Sequence, residues 1–205
     1  MMAESIRKKT TLASILFLAA ILFSACGNDV EEIPESPLNQ NGAQEEKERY
    51  KEFTSTSGDL SILATELWQE DKTLHKESDL SLYNEAYQSY LITLTDDKAA
   101  FSDDMDMDHY SELIAASAMK DLKEATVTER EAVASNGLEG RKFHVSGNID
   151  DVSVTYVFLV LENEKEFVQV ILWSFTENIE NNASYYERII ESVKYHEVEN
   201  DESGN

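Results

Sequence analysis

Only one cysteine, Cys26, occurs in the 205-residue chain, so no intramolecular disulfide can form. Basic residues are scarce: 17 Lys and Arg face 41 Asp and Glu, a formal net charge of −24. Such a surface repels nucleic-acid phosphates and argues against DNA or RNA as a partner. It also repels anionic lipid headgroups and favours cations, cationic peptides or basic protein faces. Seven glycines supply no phosphate-cradling loop after any strand, and the two prolines fall at 34 and 37. There is no HExxH and no GxSxG elbow. The longest apolar run, Leu12 to Phe23, is interrupted only by Ser14. Its dozen residues fall short of the ~20 that a bilayer-crossing helix needs.

What is present near the start has an order. Arg7, Lys8 and Lys9 precede the apolar run, and the small residues Ser24 and Ala25 follow it, directly before Cys26. A basic start, a short apolar core and a small-residue end describe a secretory signal peptide over 1–25. The segment Phe23–Ser24–Ala25–Cys26 resembles a bacterial lipobox, with Phe23 in the aliphatic slot where Leu is commonest. The resemblance implies cleavage before Cys26 and a diacylglycerol on its thiol. Two acyl chains anchor firmly where one anchors only marginally. Gly27 follows, rather than an Asp-type sorting residue. The expected location is therefore the outer face of the cytoplasmic membrane, with the membrane as a partner through lipid.

Residues 26–51 are polar and acidic, with Pro34, Pro37, Asn39, Gln40, Asn41 and Gly42, and read as a disordered tether. Glu45 to Tyr50 has the composition of a short helix. Residues 197–205 read as an acidic frayed tail. Between them, 52–196 suits one domain of about 150 residues.

Within the domain, alternation marks strands at 60–62, 80–84 and 88–96, the last with Tyr90, Ile92 and Leu94 on one face. The stretch 106–125 has helical periodicity, with Tyr110, Leu113, Ile114 and Ser117 to one side and acids at its start. Thr126, Val127 and Thr128 favour a strand over 126–134. Asn136–Gly137 is a turn signal. Three strands follow, at 141–147, 152–161 and 167–176, the last two a hairpin through Glu162 to Lys165. Both strands of that hairpin become apolar on consecutive residues, which calls for cover on both faces. The last helix is expected over 181–195, with Ser184 and Glu187 spaced as a capping box. The fold class is α+β: an antiparallel β-sheet with helices on both faces.

This order of elements resembles the PsbP/Mog1-like group, which includes small bacterial lipoproteins related to DcrB. The resemblance runs from Gly58 to Tyr195. It comprises the extended Leu60–Trp68, the strand pair Leu80–Thr95 and the helix Asp106–Lys123. The hairpin containing "FVQVILWSF" comes next, and then a closing helix with Ile189, Ile190, Ser192 and Val193. Val193 stands where Phe is usual, and Ala64 to Glu66 lack the common Pro. The resemblance implies an α/β/α sandwich serving as a non-enzymatic binding or assembly accessory; no cofactor is expected, and the expected partner is an unnamed protein or small ligand. Fold alone names no ligand.

Two constellations are candidate sites. Asp104, Asp106 and Asp108 alternate as in an EF-hand, but His109 replaces the turn glycine and Ala115 the bidentate Glu. A looser cation site would use Asp104, Asp106, His109 and Glu112, and the alternative function is then a small-ligand or metal-cation sequestering module using the acidic region Asp103–Glu112. Met105, Met107 and His109 would suit copper(I). A helix start facing water explains the same acids. Trp68, Tyr90, Tyr156, Trp173 and Phe175 would line an apolar ligand groove, or else fill a core. The four histidines have no paired-ligand spacing.

Overall fold

The structure, a computed structural model, describes residues 49–196. The leader, Cys26, most of the tether and the tail from 197 lie outside the described residues. The chain begins with β1 (Tyr50–Thr54), β2 (Leu60–Thr65), β3 (Gln69–Glu70), β4 (Ser81–Asn84) and β5 (Ser89–Asp97). Helix α1 (Met107–Met119) follows, then β6 (Lys123–Val127), β7 (Glu131–Ser135), β8 (Leu138–Ile149), β9 (Val152–Glu162) and β10 (Glu166–Phe175). The chain closes with α2 (Thr176–Asn181), α3 (Ala183–Glu191) and β11 (Lys194–Tyr195). The large sheet runs β3-β4-β5-β10-β9-β8-β6, with β7 also on β8, and the small sheet runs β1-β2-β11. Every paired strand is antiparallel.

Successive side chains of a strand point to opposite faces, and the hairpin β9–β10 uses both. Val157, Leu159, Leu161, Val168, Val170 and Leu172 join one core cluster, together with Ile62 of β2 and Ile189 and Ile190 of α3. The alternate residues Tyr156, Phe158, Val160, Phe167, Ile171 and Trp173 join a second cluster, with Met107, Tyr110 and Ile114 of α1. The fold is thus a mixed sheet-and-helix architecture built on antiparallel sheets.

Several local expectations are corrected. The mid-chain helix stops at Met119, not 125, because Lys123 and Thr126 pair with Asn148 and Ser146 at the sheet edge. Gly147 permits that approach: a Cβ there would lie 2.8 Å from Leu122 Cβ and 3.0 Å from Lys123 O. The 126–134 strand is two strands, β6 and β7, both on β8. Thr176 starts a short helix instead of ending β10, and α3 starts only at Ala183. Ser184 lies inside α3, which has no side-chain cap, and Glu187 pairs with Lys142 of β8 instead. Tyr50 belongs to β1, a strand that the polar "YKEFT" hides from periodicity, with Phe53 its one buried residue.

Asn136–Gly137 turns β7 into β8, both at positive φ. The β8–β9 turn is Asp150–Asp151, at φ 47° and 76° between the paired Ile149 and Val152. Two-residue hairpin turns of this kind favour Asn-Gly or Asp-Gly, since a Cβ disfavours positive φ. Helix α1 is held by a polar node. The Tyr110 hydroxyl donates to Asp96 Oδ2 (2.5 Å) and accepts from Gln169 Nε2 (2.8 Å), while its ring stacks on Phe167 at 4.0 Å.

Asp151→Gly is expected to raise stability by about 1 kcal/mol, read as a higher urea midpoint at unchanged slope. Tyr110→Phe keeps the ring and removes the node's central hydroxyl. Urea unfolding should show a loss of about 1–3 kcal/mol.

Candidate functional site

Four aromatic residues stand in register on neighbouring strands. Tyr83 of β4 pairs with Tyr90 of β5, Tyr90 with Trp173 of β10, and Trp173 with Tyr156 of β9. Directly paired residues share a face, and strands are about 4.8 Å apart, so the row spans about 14 Å. The Tyr90 and Trp173 rings lie 5.3 Å apart at 20°, and the Trp173 and Tyr156 rings 6.0 Å apart at 28°. Trp173 and Tyr156 are buried, whereas Tyr83 and Tyr90 are half-buried. Helix α1 packs over β6, β8 and β9, the Tyr156 side of the row. Burial, then the nearby Asp121 charge, pushes the Tyr156 hydroxyl up to about 12. It therefore stays protonated at physiological pH.

Among the described residues, two buried side-chain polar atoms have no hydrogen-bond partner: Trp173 Nε1 and Ser81 Oγ. Both lie on this one face. Ser81 pairs with Ile92, which is two residues along β5 from Tyr90 and so points the same way. The two orphans thus flank β5, one on β4 and one on β10. An unmade hydrogen bond at such a group costs about 1–3 kcal/mol. Other buried donors are served. Trp68 Nε1 donates to the Tyr185 hydroxyl (2.7 Å), and the Tyr186 hydroxyl lies 2.6 Å from Ser89 Oγ.

Of the proposed groove residues, Tyr90, Tyr156 and Trp173 come together, and Phe175 packs against the same cluster. Trp68 does not join them. It sits in the other cluster, tied through Tyr185 to Thr65 of β2. The pattern of each strand shows its aromatic positions, but no sequence signal pointed to Ser81 or Tyr83.

The acidic segment around α1 is occupied by local structure. Asp106 caps α1, its Oδ1 accepting from His109 N at 2.8 Å and lying 2.9 Å from His109 Nδ1. That backbone hydrogen bond, then the nearby His109, holds the Asp106 carboxyl below its usual range. The Ser102 hydroxyl does the same for Asp104. Asp108 pairs with Arg141 (2.7 Å) and Glu112 with Arg130 (2.9 Å). Met107 is buried in the core and Met105 packs against it. Among the described residues no group of three or more His, Cys, Asp or Glu is arranged to hold a metal ion.

One serine–histidine contact has the residue types that acyl chemistry uses. Ser61 Oγ lies 3.2 Å from His196 Nε2, but its proton goes to Glu52 Oε1 at 3.0 Å. Ser61 is also buried. The histidine is thus not placed as the base for that hydroxyl.

No family model matches the chain, and no curated protein matches it in sequence. Solved structures do match in fold. The cyanobacterial PsbP (CyanoP) of Synechocystis sp. PCC 6803 superposes with a TM-score of 0.53 at 12% identity, covering 78% of this chain and 100% of that one. LpqN of Mycobacterium tuberculosis, described as involved in cell envelope biogenesis, superposes with a TM-score of 0.54 at 8% identity, covering 73% and 92%. The fold is PsbP-like.

Ser81→Ala removes an unpaired buried hydroxyl and should raise stability by about 1 kcal/mol. Ser89→Ala, which breaks the contact with Tyr186, should lower it by a similar amount. Urea denaturation of both variants checks the opposite signs.

Proposed function

We propose that the chain is a lipoprotein, held by Cys26 to the outer face of the cytoplasmic membrane, whose PsbP-like domain is a non-enzymatic binding or assembly accessory. The observation that carries this reading is the position of the one cysteine. It directly follows a basic start, a dozen apolar residues and the small pair Ser24–Ala25. A thiolate is a strong nucleophile for acyl-glycerol transfer, and two chains suffice for stable anchoring. The polar stretch after Cys26 then serves as the tether, with the folded body starting near Tyr50. The kinship to DcrB-like lipoproteins belongs to this same reading.

The three-layer sandwich is also part of the proposal. It is supported by the division of the core, with α1 in one cluster and α3 in the other. A non-enzymatic role fits the Ser61 geometry and the capping and ion-pairing duties of the acids around α1. The net charge of −24 favours a basic or neutral partner over a nucleic acid. The fold itself carries no partner over.

In a bacterial host, wild-type protein should start at a diacylglycerol-modified Cys26 and partition with membranes. Cys26→Ser should remain unprocessed and lose the lipid mass by mass spectrometry. A bare Cys26 on an uncleaved wild-type chain would overturn the lipoprotein reading.

A further inference from the structure

We propose that the row Tyr83–Tyr90–Trp173–Tyr156 is the floor of a site for an uncharged, ring-bearing small molecule. The molecule presents a carbonyl- or ether-type oxygen to Trp173 Nε1 and a second polar group to Ser81 Oγ. The inference rests on the domain being a binding module and is independent of the lipid anchor.

The chemistry follows from the groups on that face. An indole N–H donates and cannot accept, so the atom that meets it is an acceptor. A hydroxyl does both, so Ser81 tolerates either kind of partner. Both atoms are buried and unpartnered, on the same face, with only β5 between their strands. Two strand spacings sideways and one two-residue step lengthwise separate their backbones by about 12 Å. A fused-ring molecule, together with the reach of the indole, fits that interval. The Tyr90 ring lies stacked on the indole, and where the ligand takes its place the Trp173 face offers stacking.

Charge selects further. The whole chain is strongly acidic, so an anion is repelled. A cationic nitrogen has no lone pair to accept from the indole, so the group that meets it is uncharged. An uncharged acceptor satisfies both conditions.

Entry is from the β4 side. Tyr83 and Tyr90 are half-buried there, and the Tyr83 hydroxyl donates to Gln69 of β3, the two-residue edge strand. The ligand displaces the Tyr90 ring to reach the indole.

The chain has two tryptophans, so an indole-15N spectrum of the full chain contains two side-chain signals, and Trp173→Phe assigns them. The probe is a neutral coumarin, 7-methoxycoumarin, a fused ring with a lactone carbonyl at one end and an ether oxygen at the other; naphthalene lacks both acceptors and 1-naphthoate adds a negative charge. Coumarin should shift the Trp173 signal saturably and leave that of Trp68 in place. Naphthalene and 1-naphthoate should each bind at least about tenfold more weakly, the scale of one lost hydrogen bond or one repelled charge. Ser81→Ala should weaken coumarin severalfold while remaining folded, and this arm stands even if Trp173→Phe does not fold. The proposal is overturned if millimolar coumarin leaves the Trp173 signal unmoved, as it would with an ordered water satisfying the indole. It is overturned equally if naphthalene or naphthoate binds as well as coumarin, or if Ser81→Ala binds unchanged. Failure of the Cys26 experiment leaves it standing.

Discussion

Strands β9 and β10 are apolar on both faces, and most of the molecule follows from covering them. Each has eight consecutive buried residues. Stripping such a ribbon from water is favourable by roughly 25 cal/mol per Å² of apolar surface, but only if something packs on each side. One set of side chains meets α1, and the alternate set meets α3 and the small sheet. The short β1 and β11 have few buried residues of their own, whereas β2 buries five of its six, and all three gain their place from this demand. The β11 strand is two residues long, and Ser192 beside it bonds both Leu63 N and Leu63 O of β2.

Scarce basic residues act as clips in an acidic molecule. Arg130 and Arg141 tie Glu112 and Asp108 of α1 to the β7–β8 region, and Lys142 ties Glu187 of α3 to β8. Pairs that still reach solvent contribute about 0–1 kcal/mol each, so they orient helices that burial already holds. They also explain why the acids of Asp103–Glu112 do not converge: two of them point at arginines and one caps the helix. The same face of the sheet that takes α1 over β6, β8 and β9 carries the aromatic row from Tyr156 on β9 outward across β10 and β5 to β4. There the two unpartnered polar atoms are found. Among the described residues the other buried side-chain polar atoms are satisfied, which makes these two stand out.

Much of the fold was legible in the residues. The strands of the β9–β10 hairpin, the Asn136–Gly137 turn and the face of α1 carrying Tyr110 and Ile114 all announce themselves through local periodicity or turn chemistry. Local chemistry erred where a sheet edge overruled it. Lys123 to Ala125 has a helical composition, yet it pairs with β8, because unpaired edge groups and a glycine at 147 invite a strand. Ser184 and Glu187 have capping-box spacing, but Lys142 offers Glu187 a charged partner that no local pattern reveals.

The sequence by itself determined the acidic charge, the absence of an intramolecular disulfide, the position of Cys26 and the need for cover on both faces. Each depends on residue type or on spacing along the chain. Tertiary structure alone decided which aromatic side chains meet. Register between strands distant in sequence brings Tyr83, Tyr90, Trp173 and Tyr156 into one row and sends Trp68 to the opposite cluster, where Tyr185 takes its N–H. It alone decided that Ser81 and Trp173 lack partners, because a hydrogen bond's presence or absence is a property of neighbours in space.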